Sequence, residues 1–319
     1  MRVATILPTS SLEPVAVMEG RDGEWIELAA LITRSALRLE ETLPWLMAHG
    51  SSVEARARSW QGPRYRPSEF EFLPPVIRPP SFRDFYAFEQ HAKATGFASG
   101  SRVPAAWYEQ PVFYFANHNA LVGHLAAVTA PMGSQELDFE LELGIVIGKN
   151  GKNIPTERAW DFVVGFTIIN DLTARDLQRS EMSVGIGPSK GKDFASVVGP
   201  WLTLKSAVAD RIEGEKLSLE MTARLNGVTI SSGNTASLYH SIPRMISQAS
   251  RDADLLCGDL IGTGTVGSGC ILELGPQTTG GWLTHGDVVE LEIERLGTLA
   301  TTIGVRRLTN LNPADLVSG

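Results

Sequence analysis

Asp138-Phe139-Glu140-Leu141-Glu142-Leu143-Gly144-Ile145-Val146-Ile147-Gly148 is the stretch on which the reading of the fold rests. Side chains at i and i+2 of a strand share a face, so Glu140 and Glu142 stand side by side with Phe139, Leu141 and Leu143 opposite. Ile145, Val146 and Ile147 follow without polar interruption, the pattern of a strand covered on both faces. Two carboxylates leading into such a strand are costly unless their charge is compensated. Two readings are open here: a hard divalent cation bound through oxygen, or a strand end whose acidic face is solvated.

A second acid cluster favours the cation. Gly165-Phe166-Thr167-Ile168-Ile169 reads as another apolar strand, ending in Asn170-Asp171. Asn and Asp are poor strand residues and good caps, so the strand stops and a helical turn begins. Asp171 is thereby a candidate third ligand, and Arg175 and Gln178 project from its face one and two turns on. Asp176 reads as an ordinary solvated ion-pairing residue. Upstream, Ser81 to His91 reads as the start of a helix. There Asp84, Tyr86 and His91 offer a ligand, a hydrogen-bond donor and a general base within eight residues.

The flanking sequence sets the organisation. Residues 1–75 read as a small N-terminal α/β domain with a Pro-rich linker, and 76–319 as the catalytic domain. In the first part, 14–18 and 25–28 read as paired strands, and 35–48 as a helix closed by His49-Gly50. In the second, strands are expected at 143–148, 163–169, 201–204, 217–225, 270–274, 287–294 and 300–306. A helix over 242–253 would cover the roll or contact another subunit. Gly262 to Gly269 is Gly-rich but lacks the Gly-Lys-Ser/Thr closure of a phosphate-binding loop.

Composition narrows the partners. The chain has 319 residues, 43% hydrophobic and 20% charged, with a formal net charge of −8. An acidic chain is a poor nucleic-acid partner, and no run approaches the ~20 apolar residues of a membrane span. The N-terminal residues lack a signal-peptide pattern. Cys257 and Cys270 do not make a disulfide framework, so both read as buried free thiols. A cytoplasmic enzyme fits.

Together these segments resemble the fumarylacetoacetate hydrolase family over roughly residues 80–308. The resemblance is carried by Glu140-x-Glu142, by Asn170-Asp171-x-x-Ala174-Arg175-Asp176-x-Gln178, and by Gly191-Lys192-x-Phe194 ahead of Pro200-Trp201. It implies a mainly β, α+β fold, a mixed β-sandwich roll that pairs as a homodimer and holds Mg²⁺, Ca²⁺ or Mn²⁺. By motif match it implies Glu140, Glu142, Asp171 and Asp84 as metal ligands. His91 would be the general base, oriented by Glu273, with Arg175, Gln178 and Lys192 binding carbonyls and oxyanions. Tyr86, Thr265 and, more loosely, Arg102 would contact substrate. The implied chemistry is hydrolytic carbon–carbon cleavage of a small 1,3-diketo acid bearing a carboxylate, of fumarylacetoacetate or acylpyruvate type, in aromatic-compound degradation. The alternatives within the family are hydratase, decarboxylase and keto–enol isomerase. Asp84, Tyr86, His91 and Glu273 occurring together favour the hydrolase. One departure bears on substrate: Met182 stands where the family hydrolase has a Tyr, in a segment, 179–190, that reads as a pocket-shaping lid.

Overall fold

The computed structural model describes residues 1–32, 38–95 and 103–304. The strand Leu141–Ile147 is buried along its whole length, because both of its faces are covered. Leu141, Leu143, Ile145 and Ile147 enter one core with Met221, Ala223, Leu291 and Leu299. Val146, on the other face, joins Val164, Ile169, Val198 and Leu202 in a second core. Alternation along a single strand therefore feeds two layers at once.

An eleven-stranded mixed sheet runs in the order Trp25–Glu27, Val15–Glu19, Arg2–Pro8, Ser196–Leu204, Val163–Asp171, Leu141–Ile147, Leu260–Gly262, Phe82–Phe85, Phe113–Phe115, with two short strands alongside. Against one face lies a five-stranded sheet containing Val228–Asn234, Glu220–Leu225, Val288–Ile293, Gly297–Ile303 and Ala127–Val128. This makes the sandwich roll. The opposite face is covered by the helix Leu39–Ser59 through Leu43, Leu46 and Val53.

The N-terminal hairpin forms where Asp22 (φ +56°) and Gly23 (φ +73°) close its turn. Its neighbour Arg2–Pro8 pairs with Ser196–Leu204, at Arg2 to Thr203 and Val3 to Leu202. The N-terminal strands thus extend the large sheet. The Pro-rich segment that follows is tied down by Phe70–Phe72 pairing with Arg2–Pro8.

Three local expectations are corrected. The helix expected to close at His49-Gly50 continues to Ser59, and the expected residues 35–37 lie outside the described residues. Gly50 is a packing glycine rather than a cap, since a Cβ there would meet Met1 at 3.3 Å. Phe82–Phe85 is a strand, drawn into parallel pairing with Leu260–Gly262, and the helix begins only at Glu89. Residues 271–274 are a short helix, not a strand. Its first amides are taken by a carboxylate, with Ile271 N donating to Asp138 Oδ1 at 2.7 Å and Leu272 N to Oδ2 at 3.1 Å. The helix Ile242–Ala249 buries Ile242, Met245 and Ile246 in the roll core, which makes it a covering element.

Candidate active site

Antiparallel pairing of Leu141–Ile147 with Val163–Asp171 sets the start of one strand beside the end of the other. That register brings Glu142 and Asp171 together at one end of the sheet. Asp84 arrives from Phe82–Phe85, two strands further on, across Gly262 of the intervening strand. All three acids are buried, and one carboxylate oxygen of each lies within 4.8 Å of the others. Gly262 is required by this approach, because a Cβ there would fall 2.2 Å from Asp84 Oδ1.

The electrostatics of the trio are unbalanced. Burial first, and then Asp171, push the Asp84 carboxyl well above the usual range. Burial and then Asp84 do the same to Glu142. Asp84 Oδ1 is a buried acceptor without a hydrogen-bond partner. An all-oxygen, buried, charge-rich cluster with an orphaned acceptor fits a hard divalent cation.

Glu140 stands beside this cluster with its charge already matched. It accepts from Arg175 Nη2 at 2.7 Å and from Lys192 Nζ. Burial alone would raise its carboxyl, but Lys192 and Arg175 outweigh burial and hold it at about 2. Lys192 Nζ also contacts Asp171 Oδ2, so it bridges two of the four acids expected as ligands. Desolvation opposes its charge, yet Asp171 and Glu140 prevail and its pKa is raised. Arg175 is fixed by three acceptors: Asp138 at 2.8 Å, Glu140, and Gln178 Oε1 at 3.1 Å.

His91 lies on the helix Glu89–Ala94 and is buried. Its Nδ1 meets Glu273 Oε1, and Glu273 Oε2 accepts the Ser268 backbone N–H at 2.8 Å. Nε2 is thereby the ring nitrogen left for chemistry. Tyr86 packs edge-on against the His91 ring, centroids 5.1 Å apart, and bonds Thr95. Thr265 Oγ1 is buried and unpartnered. A cavity of about 530 Å³ is lined by Asp84, Glu140 and Glu142 at the acidic end, and by Tyr86, His91, Arg175, Gln178, Lys192 and Thr265 around them. Arg102 lies outside the described residues. Residues 179–182 finish the helix Arg175–Met182, and the loop beyond it exposes Val184 and Ile186.

Two site residues escaped the sequence reading. Asp138 was within reach of it: it sits at i−2 from Glu140 and shares that face. Tyr114 was not, since Phe113-Tyr114-Phe115 carries no polar signature. Its hydroxyl donates to Asp171 Oδ2 at 2.8 Å and reaches Asp84 Oδ2 at 3.4 Å, tying together acids from different strands. Tyr114→Phe keeps the ring and removes that tie. It should weaken Mn²⁺ affinity by about 10–100-fold, the usual effect of losing a partner that orients a ligand. Calorimetric titration checks this; unchanged affinity would make Tyr114 a packing residue only.

Comparison with known proteins fits this geometry. The Fumarylacetoacetate (FAA) hydrolase C-terminal family matches residues 81–304. A human mitochondrial oxaloacetate tautomerase is 32% identical over 269 residues, 83% of this chain and 80% of its own length. An oxaloacetate tautomerase of Bacillus subtilis is 37% identical over 200 residues, 61% of this chain and 62% of its own. Among solved structures, a fumarylacetoacetate hydrolase from psychrophilic Exiguobacterium antarcticum superposes with a TM-score of 0.71 at 23% identity, covering 96% of this chain and 100% of that one. That last likeness speaks to the fold alone. Among the described residues no helix is long and apolar enough to cross a membrane.

Proposed function

The chain belongs to the fumarylacetoacetate hydrolase family, and on that premise we propose that it is a metal-dependent enzyme whose basic step is enolisation of a 2-oxo acid bearing a second carbonyl. The observation that carries this reading is that Asp84 and Glu142 of the buried all-oxygen acid trio line the same cavity as His91, whose Nδ1 is held by Glu273. Asp84, Glu142 and Asp171, with Glu140 adjacent, are the residues that would hold Mg²⁺, Mn²⁺ or Ca²⁺. Such an ion, when bound, supplies a fixed positive charge against the oxygens on which the enolate charge develops.

The chain's own groups do the rest. His91 Nε2 takes the proton from the carbon between the carbonyls, and Glu273 holds the ring in the required tautomer and stabilises its cation. Gln178 presents its amide N–H₂ because its Oε1 is engaged by Arg175. Lys192 and Arg175 offer preorganised positive charge to the anion. Returning the proton from His91 to oxygen completes a keto–enol interconversion. The names of the curated relatives, oxaloacetate tautomerases, support this outcome.

Hydrolytic carbon–carbon cleavage is the second reading, favoured by Asp84, Tyr86 and His91 lining one cavity with room for water, with Glu273 holding His91 Nδ1. Here His91 would take its proton from water. The hydroxide would add to the distal carbonyl, and the broken bond's electrons would go to the central carbon. A homodimer belongs to the same proposal.

Magnetic resonance in deuterium oxide separates the two. A tautomerase should place deuterium on the central carbon and leave the acid intact, whereas a hydrolase should release two shorter products. Absence of both in ion-loaded protein would overturn the enolisation reading.

A further inference from the structure

A second group of metal-ligating side chains meets behind the cavity wall. His91, Cys270 and Glu273 each offer a donor atom, and these atoms lie within 4.8 Å of one another. The group shares no residue with the acid trio. Cys270 caps the helix Ile271–Leu274, which sets its sulfur beside Glu273, with Sγ 3.7 Å from Glu273 Oε1. The same oxygen meets His91 Nδ1, while Glu273 Oε2 is taken by the Ser268 amide. Oε1 therefore faces both partners at once. His91 is the member that lines the cavity, and so the side from which an ion would arrive.

The donors differ in kind from those of the trio. One nitrogen, one sulfur and one oxygen suit Zn²⁺, a borderline-soft ion, and suit Mg²⁺ or Ca²⁺ poorly. The span suits it too. Bonds of about 2.0 Å to oxygen and about 2.3 Å to sulfur set a tetrahedral oxygen–sulfur separation of about 3.5 Å. Three protein ligands leave the fourth position to water. Burial pushes the Cys270 thiol up, so without an ion it is a neutral S–H, inert toward oxidants.

We propose that His91, Cys270 and Glu273 form an inhibitory Zn²⁺ site, separate from the acid trio that takes a hard ion. The ion enters between His91 Nδ1 and Glu273 Oε1 in place of their hydrogen bond. The Cys270 proton leaves to solvent and the sulfur binds as thiolate. Nδ1 binds through its lone pair, so the ring proton passes to Nε2. Nε2 then carries hydrogen and cannot accept a proton, which removes the base while the first ion stays in place. The site stands independently of the enolisation reading; its effect on turnover rests on that reading.

The test titrates Mg²⁺-saturated protein with Zn²⁺ by calorimetry, and with Co²⁺ as a spectroscopic probe. Zn²⁺ should bind as one further ion per chain, and Co²⁺ should give an ultraviolet thiolate-to-metal charge-transfer band. Enzyme-dependent deuterium exchange on oxaloacetate should fall by about 100-fold or more at Zn²⁺ saturation, as on losing a general base. Cys270→Ala should abolish the band and weaken Zn²⁺ binding by about 100-fold or more, since one of three ligands is gone. Its Mg²⁺ affinity, and its exchange before Zn²⁺ is added, should stay near wild type. Cys270→Ser, which keeps the side-chain volume, should lose the band as well. No band in the wild type, or equal Zn²⁺ affinity in Cys270→Ala, overturns the site and places zinc on the acid trio instead. A band with undiminished exchange overturns the inhibitory role. No exchange before Zn²⁺ is added overturns the enolisation reading alone, and the band still decides the site.

Discussion

His91→Ala is expected to lower kcat by about 10²–10⁴-fold, the range for removing a positioned general base. The imidazole sits in the cavity with Nδ1 on Glu273, whose other oxygen is held by the Ser268 amide. Its position is therefore set from outside the substrate, and the loss should appear in kcat more than in KM. Mn²⁺ affinity should be nearly unchanged, because the acid trio does not include His91. Glu273→Gln should act in the same direction but less strongly, since the ring keeps a weaker acceptor. Wild-type turnover in His91→Ala would remove the imidazole from the chemistry.

The second large effect is on stability. Asp138→Ala should destabilise the fold by about 3–5 kcal/mol, the cost of breaking a buried ion pair from one side. Asp138 is fully buried. Its carboxylate accepts Arg175 Nε at 2.8 Å and both leading amides of Ile271–Leu274. Without it, the Arg175 cation loses one of its two acidic partners and the helix bearing Glu273 loses its cap. Scanning calorimetry should show Tm lower by roughly 4–8 °C for a chain of this size. Asp138→Asn keeps the shape and one acceptor, so its cost should be smaller. A loss below about 1 kcal/mol in Asp138→Ala would mean that the surroundings relax around the missing group.

Asp138 also marks where the sequence is legible and where it is not. Leu141–Ile147 could be read directly, because an apolar run with two same-face acids has few other homes in a fold. Ile271-Leu272-Glu273-Leu274 could not: it suits strand or helix equally, and what selects the helix is a carboxylate 133 residues away. Val228–Asn234 went unread because it lies at the edge of the five-stranded sheet, with Val228 and Thr229 exposed and little apolar alternation. At the site, the shared face of Glu140 and Glu142 followed from strand periodicity. Their different surroundings did not. Glu142 lies with Asp84 and Asp171, whereas Glu140 is neutralised by Arg175 and Lys192, and only the meeting of several strands and a loop decides that. The pairing of His91 with Glu273 was implied by family resemblance and by nothing in the spacing, since 182 residues separate them.

Enolisation is proposed to depend on an ion held by the buried oxygen-only acid cluster. Calorimetric titration of chelator-stripped protein with Mn²⁺, run beside Glu142→Gln and followed by deuterium exchange on the same samples, tests it most directly. One ion per chain should bind to the wild type, binding should be lost or strongly weakened in the variant, and exchange should return in step with occupancy. Exchange at the full rate in stripped protein, or undiminished Mn²⁺ binding by Glu142→Gln, would contradict it.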